Sequence, residues 1–153
     1  MAGSETTATL LSGAIYYLLK NPGWLDKLRR EVLAAFSTDS QITFTTTAQL
    51  KIMNAVIYET LRIYPPVPVA LPRVVPKGGA TVAGTYIPQG TTVGIPQYAA
   101  YRSSRNFTNP EKYAPARFLG DDAYAHNSAR SFNHFQSAHV IVSANTWLGP
   151  RCA

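Results

Sequence analysis

Two short stretches of the sequence combine residue types that could do chemistry. In AGSETT, Ala2 to Thr7, an acid stands beside a hydroxyl at Glu5 and Thr6. Glycine and threonine weaken a helix interior, whereas they are favoured where a helix begins. The stretch is therefore either a capped helix start or a local defect that a helix accepts for chemistry.

The second stretch is YETLR, where Glu59 and Arg62 stand three residues apart. On a helix that spacing places both side chains on one face, close enough to pair. Their neighbours are apolar and a double proline follows, so we expect the pair to be partly buried and to need further partners. Arg117, in APARF, is the expected third member, which gives a carboxylate held between two guanidinium groups.

Other familiar sites lack support in the sequence. The histidines His126, His134 and His139 form no helical i, i+4 pair and have no CxxC beside them, so we interpret them as polar loop residues. No GxGxxG, GxxxxGK[ST] or GxSxG is present, which removes the dinucleotide, P-loop and α/β-hydrolase readings. The formal charge of +6 is not concentrated in any Lys/Arg run, which indicates a mildly basic surface and no nucleic-acid partner.

Helices must position these residues in the first half of the chain. Helical spacing predicts one helix from Thr6 to Lys20 and a second helix after it. In the second helix, the apolar residues are expected to face inward: Trp24, Leu25, Leu28, Val32 and Phe36. Its charged residues are expected to face water: Lys27, Arg29, Arg30 and Glu31. A third helical region ends at Pro65 and could be two short helices joined near Asn54. The apolar stretch in the first helix is too short to span a bilayer.

The residue pattern of the sequence changes after Val67. Short β-branched runs separated by proline and glycine predict short strands and turns, and an ordered loop with a helical turn follows. We therefore predict a mainly α protein with a small β region, an α+β fold. The sequence has a hydrophobic fraction of 46% and only 14% charged residues. This composition predicts that the chain packs against other polypeptide or against a large ligand.

The motifs AGSETT, YETLR followed by YPP, and NPEKYAPARF, in that order, resemble the cytochrome P450 superfamily of heme-thiolate monooxygenases. The resemblance covers residues 2 to about 120. It implies a partial P450 fold: the end of the long central helix, the helices after it, a short β-sheet and the loop that leads to the heme-ligand region. It implies residues 1–122 as the C-terminal part of a P450 domain and heme b as the cofactor.

The resemblance also implies roles for individual residues. Glu5 and Thr6 match the catalytic acid–alcohol pair, with Thr6 bonding oxygen at the iron and Glu5 relaying protons, while Gly3 permits a local widening of the helix. Glu59, Arg62 and Arg117 match a structural triad, although Ala116 replaces a common acid. Arg73 matches an arginine that binds a heme propionate. Val69 to Leu71 match a stretch that lines the substrate pocket.

The pattern breaks at the cysteine that should ligate the iron. A Phe, Gly, Arg and Cys are expected in a fixed order, and Phe135 begins such a run without completing it. The later run WLGPRCA supplies Arg151 and Cys152, but these are adjacent where one residue should separate them. Cys152 is the candidate axial ligand, and an inert terminal thiol is the alternative. Residues 123–153 are interpreted as a divergent or misread heme-ligand region, a splice error being one explanation.

The resemblance implies a monooxygenase that inserts one oxygen atom from O2 into a small apolar organic substrate, with electrons from an NADPH-dependent reductase. It implies that a complete member is held on the endoplasmic reticulum membrane, although this chain shows no membrane segment. Two alternatives stay open. One is a truncated, non-catalytic family member that cannot bind heme alone, and the other is a small basic binding module.

Overall fold

Five α-helices and two small antiparallel ladders form most of the described residues, 2–82 and 84–127, of this computed structural model. The helices are α1 (Ala2–Lys20), α2 (Pro22–Ala35), α3 (Phe44–Thr47), α4 (Lys51–Ile63) and α5 (Gln97–Tyr101). The strands are β1 (Arg73–Val74), β2 (Ala80–Val82), β3 (Thr85–Ile87) and β4 (Thr92–Val93). Short 3-10 turns occur at Asp39–Gln41, Pro115–Phe118 and Asp122–Tyr124. The predicted mainly α fold with a small β region is confirmed.

Asn21 and Pro22 separate the first two helices. The Asn21 side chain donates to the Tyr17 carbonyl at 2.8 Å, which satisfies an open end of α1, and Pro22 begins α2 where its missing N–H costs nothing. α2 lies on the surface, and none of its residues is fully buried. Leu25 was predicted to face inward but is 38% exposed.

The break in the third helical region lies near Leu50, so the expected joint at Asn54 was wrong. Asn54 lies inside α4, where its side-chain amide donates to the carbonyls of Ala48 at 2.9 Å and Leu50 at 2.8 Å. α3 begins at a capping box made by Thr43 and Thr46. A polar residue that binds the preceding turn therefore stabilises the start of α4 rather than interrupting it.

The β region consists of two separate ladders. β1 pairs with β4, with Arg73 opposite Val93, and β2 pairs with β3 as a hairpin. Gly79 has a φ of +76°, and its missing side chain leaves room for Tyr86, whose hydroxyl oxygen and nearest ring atoms would overlap with a Cβ there. The ladders are short because proline and glycine end every run.

The buried residues gather around α4. Ala55, Val56 and Ile63 of α4 are at most 3% exposed, and Tyr101 packs against Phe107 beside them. α1 presents an exposed apolar stripe at every fourth residue, formed by Leu11, Ile15 and Leu19. No helix in the described part of the chain is long and apolar enough to cross a membrane.

Candidate functional site

The centre of the candidate site is a carboxylate held by two guanidinium groups, here called the acid–guanidinium cluster: Glu59, Arg62 and Arg117. Arg62 donates from Nε to Glu59 Oε2 at 2.8 Å and from Nη2 to Oε1 at 2.9 Å. This two-point contact arises because the residues lie one helical turn apart on α4. Both side chains are fully buried.

Arg117 completes the cluster from the 3-10 turn Pro115–Phe118. Its Nε donates to Glu59 Oε1 at 3.2 Å, and the Ala114 backbone N–H donates to the same oxygen at 2.8 Å. Its side chain is 1% exposed. The carboxylate of Glu59 therefore ties α4 to a segment more than fifty residues further along the chain.

The remaining N–H groups of the two arginines bind backbone carbonyls of the intervening loop. Arg62 donates to Tyr101 at 2.8 Å and to Pro110 at 2.7 Å. Arg117 donates to Thr108 and, at 2.7 Å, to Asn109. Both donate to Lys112, at 3.3 and 3.2 Å. Desolvating such charges is offset only when the donors find partners, and here Tyr101 and the loop from 108 to 112 supply them.

Burial also shapes the electrostatics of the cluster. The pKa of Arg117 is lowered from its ordinary value because burial disfavours the charged guanidinium, and the nearby Glu59 charge opposes that shift. The Arg62 guanidinium lies over the Phe107 ring at 5.3 Å and that of Arg117 over the Tyr124 ring at 4.5 Å. Aromatic rings therefore pack against both guanidinium groups. The cluster holds the loop that carries Arg117 in place and exposes no reactive group.

α1 carries the predicted acid–alcohol pair and packs against α4. Glu5 is exposed and Thr6 half-buried, both near the start of α1. Further along, α1 approaches α4 at Gly13, which is buried and faces the Tyr64 ring and Thr60. Sequence reasoning predicted neither this close approach nor its place.

A stacked pair of tyrosines joins α1 to the loop that carries Arg117. The Tyr17 and Tyr113 rings are 5.0 Å apart and nearly parallel, at 9°. Burial raises the pKa of Tyr113 to about 12, and its hydroxyl lies 3.4 Å from Thr60 Oγ1. Both tyrosines were visible in the sequence, but their contact spans 96 positions and no local pattern indicates it.

Arg73 lies on β1, away from the acid–guanidinium cluster. Its guanidinium Nη1 donates to the neighbouring Pro72 carbonyl at 3.0 Å, and no carboxylate among the described residues forms an ion pair with it. The residue is half-buried. A cation with open donors beside short apolar strands is suited to an acidic group of a ligand.

Glu31 has a structural role, although helical spacing predicted that it would face water. It is half-buried, and its carboxylate accepts the backbone N–H groups of Ile52 at 2.8 Å and Met53 at 2.9 Å. Leu50, at the N-cap of α4, provides no side-chain cap, so Glu31 fills that role from another helix. Glu31 follows Leu28 by three residues and Trp24 by seven, so helical spacing places all three on one face of α2. This spacing was the available signal that Glu31 could face inward.

Some predicted positions cannot be compared with the structure. Arg151 and Cys152, the candidate heme-loop residues, lie outside the described residues, as do His134 and His139. Within the described part of the chain, no three His, Cys, Asp or Glu side chains gather into a group that could hold a metal ion. The structure thus brings Glu59, Arg62 and Arg117 together, whereas Arg73 lies on β1 and the Glu5–Thr6 pair lies near the start of α1.

Comparisons with known proteins agree on one family. The family model described as Cytochrome P450 matches residues 1–135. The cytochrome P450 monooxygenase tpeC of Talaromyces stipitatus is 48% identical over 134 residues, which is 88% of this chain and 26% of the relative. The averantin hydroxylase of Dothistroma septosporum is 48% identical over 127 residues, 83% of this chain and 24% of the relative. The chain thus spans about a quarter of the length of the curated relatives that it matches.

Proposed function

Because this chain belongs to the cytochrome P450 family, we propose that it works as part of a heme-dependent monooxygenase that inserts one oxygen atom of O2 into an apolar organic substrate. The observation that carries the proposal is the buried and fully hydrogen-bonded acid–guanidinium cluster. We infer that the cluster, costly to desolvate, is retained because it specifies one conformation of a distant segment. Here that segment is the loop between α5 and Arg117.

The cluster has a positioning role rather than a catalytic one. The donors of Arg62 and Arg117 that have partners point to Glu59, to the last residue of α5 or to carbonyls of the loop, and not towards a substrate. By holding residues 108 to 117 against α4, the cluster fixes the point from which the following chain continues. In the proposed enzyme, that following chain includes Arg151 and Cys152, with the Cys152 thiolate as the ligand of the heme iron.

Among the described residues, Arg73 is suited to bind a heme. Arg73 is half-buried, has open donors and has no carboxylate partner among the described residues, as a propionate-binding arginine requires. We assign it to hold a propionate of heme b. When bound and thiolate-ligated, the heme supplies the activation of O2. The residues of this chain supply its binding, the shape of the surrounding pocket and the protons.

Glu5 and Thr6 are proposed to deliver those protons. Thr6 is half-buried, so its Oγ1 can hold a proton partly shielded from solvent, whereas the exposed Glu5 carboxylate can exchange a proton with solvent. This difference in exposure suits a relay that runs from water into a dry site. Thr6 would orient the transferred proton and Glu5 would replace it.

The substrate proposal rests on the segment from Val69 to Leu71. Val69 is 62% exposed and the two residues after it are small or apolar and half-buried, so the segment offers an apolar surface. One relative is by its name an averantin hydroxylase, which supports an organic substrate for this chain as well. An NADPH-dependent reductase as electron donor and a location at the endoplasmic reticulum membrane belong to the same proposal.

A chimera provides the test of this function. It joins the amino-terminal part of the Dothistroma septosporum averantin hydroxylase to residues 1–127 of this chain and ends in the carboxy-terminal part of that relative. With heme bound, reduction and carbon monoxide should produce the red-shifted Soret band of a thiolate-ligated heme. A chimera that folds and binds heme without this band would contradict the proposal.

Two further samples address the alternatives. The isolated chain should not show the band, because most of the relatives' length is missing from it. A second chimera that ends in residues 128–153 tests Cys152 itself. If only this second chimera lacks the band, the chain is a non-catalytic member of the family, and Cys152 is not an axial ligand.

A further inference from the structure

We propose that Gly13 and Tyr17 are positioning residues of the enzyme: they set how α1 lies on α4 and on the acid–guanidinium cluster, and thereby where Thr6 stands. The inference deepens the proposed function and rests on the proton-delivery role assigned to Thr6. It concerns two residues other than the proposed heme-binding arginine and the acid–alcohol pair.

Gly13 allows α1 and α4 to approach closely. A Cβ at this position would lie 2.7 Å from Tyr64 Cδ1 and 3.3 Å from Thr60 Cγ2, both closer than ordinary contacts. Glycine inside a helix is unfavourable, so its presence in α1 requires a compensating reason. The packing of Tyr64 and Thr60 into the space of a missing side chain is that reason.

Tyr17, one turn further along the same face, sets the register of the contact. Its ring stacks on Tyr113 at 5.0 Å, and the next residue after Tyr113, Ala114, donates its N–H to Glu59. The Tyr113 hydroxyl also lies 3.4 Å from Thr60 Oγ1. Two short steps therefore connect α1 to the carboxylate at the centre of the cluster.

The helix transmits this placement to the acid–alcohol pair. Thr6 precedes Gly13 by two turns of one continuous helix, about 10 Å along its axis, and the hydrogen-bonded turns between them couple the two positions. A shift of the crossing point is therefore felt at Thr6. Misplacing a catalytic group by about 1 Å can cost on the order of 100-fold in rate.

Tyr64 makes the inference testable, since its ring is 48% exposed and can be removed from the crossing. In the averantin hydroxylase chimera, with averantin and an NADPH-dependent reductase, we would measure product formed per NADPH consumed for Gly13→Ala, Tyr64→Ala and the double variant. Product formed and NADPH consumed both scale with the amount of heme-loaded protein, so a simple loss of folded protein does not change their ratio. Gly23→Ala is the matched control, because nothing lies within 4 Å of its Cβ position.

We expect Gly13→Ala to lower the ratio about tenfold, Tyr64→Ala to restore it in the double variant, and Gly23→Ala to leave it unchanged. Tyr17→Leu should lower the ratio and Tyr17→Phe, which keeps the stacked ring, should not. Ile15→Ala, at a side chain of the same helix that is 60% exposed, is the control for this pair. A ratio that Gly13→Ala and Tyr17→Leu both leave intact overturns the inference.

A second measurement does not depend on activity. Urea unfolding of the heme-free chimera gives a double-mutant cycle for Gly13→Ala and Tyr64→Ala, and we expect the unfolding equilibrium to show a coupling of about fivefold or more. No coupling overturns the inference. If the variants show this coupling but the folded parent chimera forms no product, the proposed function is contradicted instead.

Discussion

The carboxylate of Glu31 on α2 accepts the backbone N–H of Ile52 at the start of α4, over 2.8 Å. Its second oxygen accepts the N–H of the next residue at 2.9 Å. Glu59 follows Ile52 on the same helix by about two turns, so the cap and the acid–guanidinium cluster hold the two ends of α4. α4 is thus fixed by carboxylates at both ends, one supplied by a neighbouring helix.

Removing this cap should destabilise the protein. We expect Glu31→Ala to lower the free energy of unfolding by about 1–2 kcal/mol, because two N–H groups lose their acceptor and the helix dipole loses a favourable charge. Glu31→Gln should cost less, since its amide oxygen still accepts one bond. Asp26→Ala is the control, because Asp26 and Arg30 form an exposed ion pair on the same helix. Urea unfolding of the chimera measures all three, and equal losses for Glu31→Ala and Asp26→Ala would contradict the capping role.

Breaking the acid–guanidinium cluster should have a much larger effect. Glu59→Gln keeps the shape of the side chain but leaves two buried guanidinium groups without a counter-charge, so we expect a loss of about 3–5 kcal/mol. Arg62→Lys should be similarly damaging, because an ammonium cannot make the two-point contact with Glu59. Arg30→Ala, which removes the exposed partner of Asp26, should change stability by less than about 0.5 kcal/mol. A Glu59→Gln chimera as stable as its parent would show that the cluster does not hold the loop.

The buried tyrosines predict a dependence of stability on alkaline pH. Burial raises the pKa of Tyr101 and of Tyr113 to about 12, whereas an unfolded tyrosine titrates near about 10. The folded state holds these protons more tightly than the unfolded state does. The contribution of the two tyrosines to the free energy of unfolding is therefore complete below about pH 10 and is lost as the pH rises through about 12. Tyr113→Phe should remove roughly 2 kcal/mol of this dependence.

The measurement is urea unfolding of the chimera and of Tyr113→Phe at several values between pH 8 and about pH 12. Tyr86→Phe is the control, because that ring is 63% exposed. A parent and a Tyr113→Phe variant whose stabilities fall in parallel above about pH 10 would contradict the burial of the Tyr113 hydroxyl.

Heme binding should depend on Arg73. Losing a charge-assisted hydrogen bond of about 1.5–3 kcal/mol corresponds to about tenfold or more in affinity, so Arg73→Gln should bind heme at least tenfold more weakly. Arg105→Gln, at an exposed arginine, is the matched control. Titration of heme into the heme-free chimera measures the affinity, and unchanged binding by Arg73→Gln would remove Arg73 from the proposed site.

The acid–alcohol pair should control how well electrons are used. Thr6→Ala and Glu5→Gln are expected to lower the product formed per NADPH by about 100-fold and tenfold respectively, because protons then reach the site from undirected water. Thr9→Ala, at the next turn of α1, controls for the loss of a threonine. Product and NADPH are quantified together in the averantin assay. A Thr6→Ala chimera with the parental ratio would refute the relay.

The sequence by itself determined the local structure and the family. Helical periodicity, the proline stops and the short β-branched runs predicted the helices and strands because these signals act over a few residues. The pairing of Glu59 with Arg62 follows from one turn of helix in the same way. The order of motifs resembled the cytochrome P450 family, which the family model and the relatives confirm.

Only the tertiary structure decided the contacts that join distant segments. Glu31 caps α4 rather than facing water, Asn54 lies within α4 rather than at a joint, and Tyr17 reaches Tyr113 across 96 positions. The sequence suggested Arg117 as a partner of Glu59, but the loop carbonyls that satisfy its other donors appear only in the fold. Such contacts depend on how whole elements pack, and neighbouring residue types do not encode that packing by themselves.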